Sequence, residues 1–156
     1  MEILLKLLCT PNMSKSPSTD NVGTNTEWNI HPSVIGFIEN FKIPESNIKK
    51  HFEIIGPNKI VRNYKIQNST LAKSQIDLAC MLALENALRN GSFEFSFEEV
   101  KAACRSNNCF NSSNFRQNFK SKSKLFKSFT NENNVVLTSD GKKYLADLLT
   151  ALSKES

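Results

Sequence analysis

The chain has 156 residues, enough for one good core or for two small helical units sharing one. With 39% hydrophobic residues and eleven Phe it is not globally disordered, and no run approaches the ~18–20 apolar residues that span a bilayer. Five Gly and two His leave little material for a phosphate-cradling loop or a His-based metal site, so no cofactor is expected. The net charge of +5 is unevenly placed: Lys101, Arg105, Arg116, Lys120, Lys122, Lys124 and Lys127 fall in a stretch with no acid between Glu99 and Glu132. The rest of the chain holds 13 basic and 15 acidic residues. A local cationic excess of this kind attracts polyanions by counterion release. A second, weaker cluster is Lys49, Lys50, Lys59, Arg62 and Lys65, diluted by Glu45 and Glu53.

The first residues do not read as a signal peptide, because Glu2 stands where positive charge belongs and Lys6 interrupts the apolar core. Met13 is an alternative start to Met1. Residues 10–29 are rich in Ser, Thr, Asn and Pro, and 1–29 reads as a disordered leader. Order is expected from Trp28 or Pro32. Pro32 suits a first helical position, with Ile35, Ile38 and Phe41 at helical spacing. Pro44 opens a second helix, in which Ile48, Phe52 and Ile55 form one stripe that Gly56-Pro57-Asn58 ends. Lys59–Ile66 alternates as a short strand. Residues 30–70 thus form a small helical unit.

Residues 72–90 predict a helix that is apolar around nearly its whole circumference, with only a narrow polar sector near Asp77, Glu85 and Arg89. Such a helix is buried on most sides, between the two halves of the chain or against a second subunit. A capping box at Ser96-Phe97-Glu98-Glu99 starts the next helix, 97–105, with Val100, Ala103 and Cys104 inward. After the turn at Asn107–Asn111, Ser112 or Asn111 caps a helix over 112–122, with Phe115 and Phe119 facing the core. Phe126–Phe129 and Val135–Leu137 make a candidate hairpin around a polar turn. The last helix starts near Ser139, with the stripe Leu145, Leu148, Leu149 and Leu152.

The order of elements from residue 72, and the run Val135-Val-Leu-Thr-Ser-Asp-Gly-Lys-Lys-Tyr-Leu-Ala-Asp-Leu-Leu149, resemble the winged helix-turn-helix superfamily over residues 72–152. In many such regulators a strand ending in Leu-Thr, then a Gly, then a leucine-rich helix leads out of the wing. Upstream, Phe41-Lys-Ile-Pro-Glu-Ser-Asn-Ile-Lys-Lys-His-Phe52 is similar to the turn and second helix of helix-turn-helix regulators, over 34–55. The expected fold is therefore mainly α with a small β-hairpin wing: a winged-helix domain over 72–156, preceded by a small helical, helix-turn-helix-like unit. The resemblance implies that helix 112–122 enters the major groove of double-stranded DNA. Ser113, Asn114, Arg116, Gln117 and Lys120 would face bases, while Ser121, Lys122, Lys124, Lys127, Lys142 and Lys143 would meet phosphates. Glu132, at the wing tip, departs from the basic residue expected there.

The expectation is a small cytoplasmic transcriptional regulator that binds DNA, dimerising through helix 72–90 or helix 140–152. The rival is a winged-helix protein-interaction module without nucleic-acid binding. An enzyme is not expected: His31 and His51 have no spacing partners, His51 reads as an exposed helix member, and the four Cys form no zinc pattern and read as reduced, mostly buried thiols.

Overall fold

Pro32 opens the first helix, α1 (Pro32–Phe41), behind a His31 cap whose Nδ1 accepts from the Ser33 backbone N–H at 3.2 Å. The computed structural model describes residues 30–155 apart from 57–58 and 67–69, so the leader expected over 1–29 lies outside the described residues. The buried face of α1 is Val34 and Phe37, while Ile35 is exposed. Lys42, at φ 55°, ends the helix, and α2 (Glu45–Lys49) follows.

The long second helix expected over 44–55 does not form. After α2 the chain runs extended as β1 (Phe52–Ile55) and returns as β2 (Lys59–Arg62), antiparallel, with Phe52 opposite Arg62 and Ile55 opposite Lys59. A single helical turn is marginal by itself. Here β-branched Ile54 faces Ile60 across the ladder, and Gly56, at φ +74°, begins the turn in a backbone conformation that favours glycine. Ile55, which the helical stripe would have buried, is exposed.

Thr70 caps α3 (Leu71–Asn90), its hydroxyl accepting from Lys73 N–H at 3.2 Å. Every residue from Ser74 to Glu85 is buried, as are Ala87 and Leu88. α1, the short strand β3 (Glu94–Phe95), α4 (Phe97–Ser106), α5 (Phe115–Lys120) and α6 (Ser139–Glu155) all pack around it. That burial is within one chain, and the large apolar side chain it leaves exposed on α3 is Leu71. The leucine stripe of α6 is likewise internal at Leu145, Leu148 and Leu149. One continuous apolar cluster runs from Ile30 to Leu149, so the N-terminal unit and the C-terminal half share a core.

Of the polar sector expected on α3, Arg89 is exposed while Asp77 and Glu85 are buried. Asp77 is 1% exposed and is held by Lys73 Nζ at 2.8 Å and the Tyr144 hydroxyl at 2.5 Å. Glu85 is 2% exposed and takes Arg62 Nε at 2.5 Å and Arg89 Nη1 at 2.8 Å. Buried carboxylates persist only when paired in this way.

The capping box forms as expected, with Ser96 Oγ accepting from Glu99 N–H and Glu99 Oε2 accepting from Ser96 N–H. The expected hairpin is different. β4 (Val135–Val136) pairs with β3, Glu94 opposite Val136; the 126–129 arm meets this segment at a Phe126–Leu137 bridge and through a Lys127 N–H bond to the Val136 carbonyl. The arm does not extend further because Phe126 and Phe129 turn inward, onto each other at 5.7 Å and with Phe129 reaching Phe97 at 6.0 Å. Among the described residues the result is a mainly helical fold with two short antiparallel strand pairs. No helix among the described residues is long and apolar enough to cross a membrane.

Candidate nucleic-acid interface

α5 is shorter than the 112–122 helix expected from the sequence. Asn111 is not its cap: its Oδ1 accepts from the backbone N–H and hydroxyl of Ser113, closing a turn that occupies residues 111–113. Asn114 is the capping residue and makes no side-chain cap bond. Beyond Lys120 the chain tightens into a 3₁₀ turn, Ser123–Leu125.

Phe115 and Phe119 hold α5 in place from beneath. Phe119 stacks within 5.2 Å of Phe97, 5.5 Å of Phe126 and 4.9 Å of Phe115. Asn118 Nδ2 donates to Gln75 Oε1 at 2.9 Å, and Gln75 Nε2 donates to the Cys109 carbonyl at 2.8 Å. Gln75 is fully buried on α3, so α5 is fastened to the core by a polar pin as well as by rings.

With that face hidden, Ser113, Asn114, Arg116, Gln117, Lys120, Ser121, Lys122, Lys124 and Lys127 are all exposed along one short stretch of chain. They differ in what else they touch. Arg116 is ion-paired with Glu132 and lies 6.0 Å from the Phe97 ring. Lys120, Lys122, Lys124 and Lys127 pair with no acid among the described residues. Two other cations of the acid-free stretch serve packing: Lys101 bonds Glu98 and approaches Phe115, and Arg105 covers Phe110 at 4.6 Å.

The Leu-Thr-x-x-Gly run anchors the cationic segment. Thr138 Oγ1 donates to the Lys124 carbonyl at 2.6 Å and accepts from Gly141 N–H at 3.0 Å, and Thr138 N–H donates to the Leu125 carbonyl at 2.9 Å. Gly141 sits against that same carbonyl, where a Cβ would overlap its oxygen. Behind the 3₁₀ turn, Tyr144 stands with its hydroxyl committed to Asp77. Burial, followed by that bond and the Asp77 charge, pushes the Tyr144 phenol well above its ordinary range. Tyr144, Thr138 and Gln75 are not among the site residues expected from the sequence; the Leu-Thr-x-x-Gly spacing marks Thr138, and nothing local marks Tyr144 or Gln75.

Other expected residues fall outside this surface. Lys142 is half-buried, 4.9 Å from the Phe93 ring, and Lys143 pairs with Asp147 at 3.3 Å. The second cluster is not one cationic patch: Arg62 is bound to buried Glu85, Lys49 pairs with Glu45 at 2.8 Å, and Lys50 Nζ donates to the Ser153 carbonyl at 3.3 Å. Lys59 and Lys65 are exposed.

His51 is not an exposed helix member. It follows α2, is 4% exposed, and neither ring nitrogen has a hydrogen-bond partner among the described residues. Burial, and then the neighbouring Lys50 charge, lower its pKa. Cys80, Cys104 and Cys109 are free thiols inside the core, and burial raises the pKa of each. Thiols of this kind are poor nucleophiles. Among the described residues no three His, Cys, Asp or Glu side chains are grouped to hold a metal.

The chain matches no protein-family model, and no curated protein or solved structure is significantly similar to it.

Proposed function

We propose that this chain binds double-stranded DNA, as a small regulator of winged helix-turn-helix type, through α5 and the segment that follows it. The observation that carries the reading is the run Lys120, Lys122, Lys124 and Lys127: four exposed cations with no described acidic partner, on a surface pinned from below by Phe115, Phe119 and Gln75. A cationic stretch on a pinned backbone suits a fixed ladder of phosphates, because little backbone order has to be gained on binding. Ser113, Asn114 and Gln117 are the exposed polar groups of the adjoining turn and helix, of the types that reach base edges. Arg116 joins them when it leaves Glu132.

A fluorescence-anisotropy titration of duplex DNA at about 50 and about 200 mM salt tests this. Four phosphate contacts give a slope of about −3.6 in log K against log salt, a loss of about 10²-fold over that range. Absence of binding at low salt, or an affinity indifferent to salt, refutes the reading and leaves the protein-interaction alternative.

A further inference from the structure

Ser121, Lys122, Ser123, Lys124, Leu125 and Tyr144 line a pocket of about 400 Å³. Its four polar residues are exposed, while Leu125 and Tyr144 are half-buried, so a cationic and hydroxylic rim stands over an apolar inner wall. The volume is far larger than a lone phosphate and falls within the ~300–1,000 Å³ of small-molecule sites. The wall is fixed in advance. Tyr144 is tied by its hydroxyl to Asp77, and the carbonyls of Lys124 and Leu125 are both bonded to Thr138. The Tyr144 hydroxyl is therefore occupied, and the residue offers a ligand its ring.

Ser121 Oγ already donates to the Asn118 carbonyl at 2.7 Å, so two ammonium groups and the Ser123 hydroxyl face the ligand; they match an anion with several oxygens, and phosphate is the biological group of that description. An aromatic ring and a leucine behind them match an apolar or planar body attached to the phosphate. We propose that this pocket binds a phosphate monoester carried on a ring-bearing body, of the nucleotide class. The phosphate lies between Lys122 and Lys124, and the body rests on Leu125 and Tyr144. This goes beyond duplex binding and does not rest on it.

The test is a titration of the ¹⁵N-labelled full chain with AMP, adenosine and inorganic phosphate. AMP is expected to shift the amides of 121–125 and Tyr144 saturably, with adenosine and phosphate each at least tenfold weaker. The Lys122→Gln/Lys124→Gln double variant should lose at least tenfold in AMP affinity at an unchanged melting temperature. A 5′-phosphorylated oligonucleotide that displaces AMP at least tenfold better than the same oligonucleotide without that phosphate would identify a strand end as the source of the phosphate, and one that displaces it no better would identify the free nucleotide. Duplex binding is measured separately, on DNA without terminal phosphates, so its outcome bears only on the DNA reading. The pocket assignment is overturned if AMP leaves those amides unmoved, if phosphate or adenosine alone binds as tightly as AMP, or if the double variant binds AMP like the parent.

Discussion

Arg116, on the exposed side of α5, is ion-paired with Glu132 in the turn ahead of β4. The Glu132 carbonyl also accepts from Phe97 N–H at 2.9 Å, so the backbone bearing that carboxylate is anchored to α4. The acid that looked out of place at a wing tip therefore holds the one arginine of the helix read as DNA-facing.

If duplex DNA takes Arg116, Glu132 competes with it. Glu132→Gln is expected to raise duplex affinity by roughly 3–10-fold, taking the released competition at ~1 kcal/mol for a half-exposed pair, and to change stability by less than ~1 kcal/mol. Arg116→Ala should weaken one preferred sequence by ~1–3 kcal/mol over others. Anisotropy against a small panel of duplexes measures both. An unchanged or lower affinity for Glu132→Gln removes Arg116 from the contact surface.

Lys124 meets DNA, on this reading, through phosphate alone. Lys124→Ala should weaken every duplex alike and reduce the salt slope by about 1. Sequence-selective loss would show that the residue reads bases.

Gly141→Ala places a methyl group against the Leu125 backbone carbonyl, where no flexible side chain can yield. The expected cost is about 1–3 kcal/mol in urea unfolding. Because that carbonyl belongs to the cationic segment, duplex affinity should fall as well. A variant as stable as the parent would show that α6 can retreat from the 3₁₀ turn.

His51 makes stability depend on pH. Its pKa is lowered in the folded chain relative to the ordinary ~6.5, by burial first and then by Lys50. A group depressed on folding favours the folded state in its neutral form. The stability it contributes is full above about pH 6.5 and is lost as pH falls, at up to ~1.4 kcal/mol per pH unit, until the folded pKa is passed. Thermal melts from about pH 8 to pH 5 should show this decline, and His51→Leu should flatten it. A slope unchanged in that variant would assign the decline to other groups.

What the sequence disclosed depended on how local the cause was. The capping box at Ser96 and Glu99 involves neighbours along the chain, and it formed as read. Phe115 and Phe119 are one helical turn apart, and their shared face was legible for the same reason. The Ile48, Phe52 and Ile55 spacing misled because it fits a helix, while the alternative depended on strand β2, which lies beyond a turn. Asp77 and Glu85 were legible as a polar sector, but their burial was not, because their partners Tyr144 and Arg62 are remote in sequence. The Arg116–Glu132 pair was hidden likewise: both residues were noticed, but nothing in their spacing joins them.

The contact of Gly141 with the Leu125 carbonyl has a mechanical consequence. α6 is a rod of 17 residues, about 25 Å long. Near its start it bears on the 3₁₀ turn through Gly141, and near its end the Ser153 carbonyl holds Lys50, just after α2. A rod of that stiffness transmits displacement instead of absorbing it. The N-terminal unit contributes no residue to the cationic surface, yet it packs on the same rod that seats the segment carrying Lys122 and Lys124.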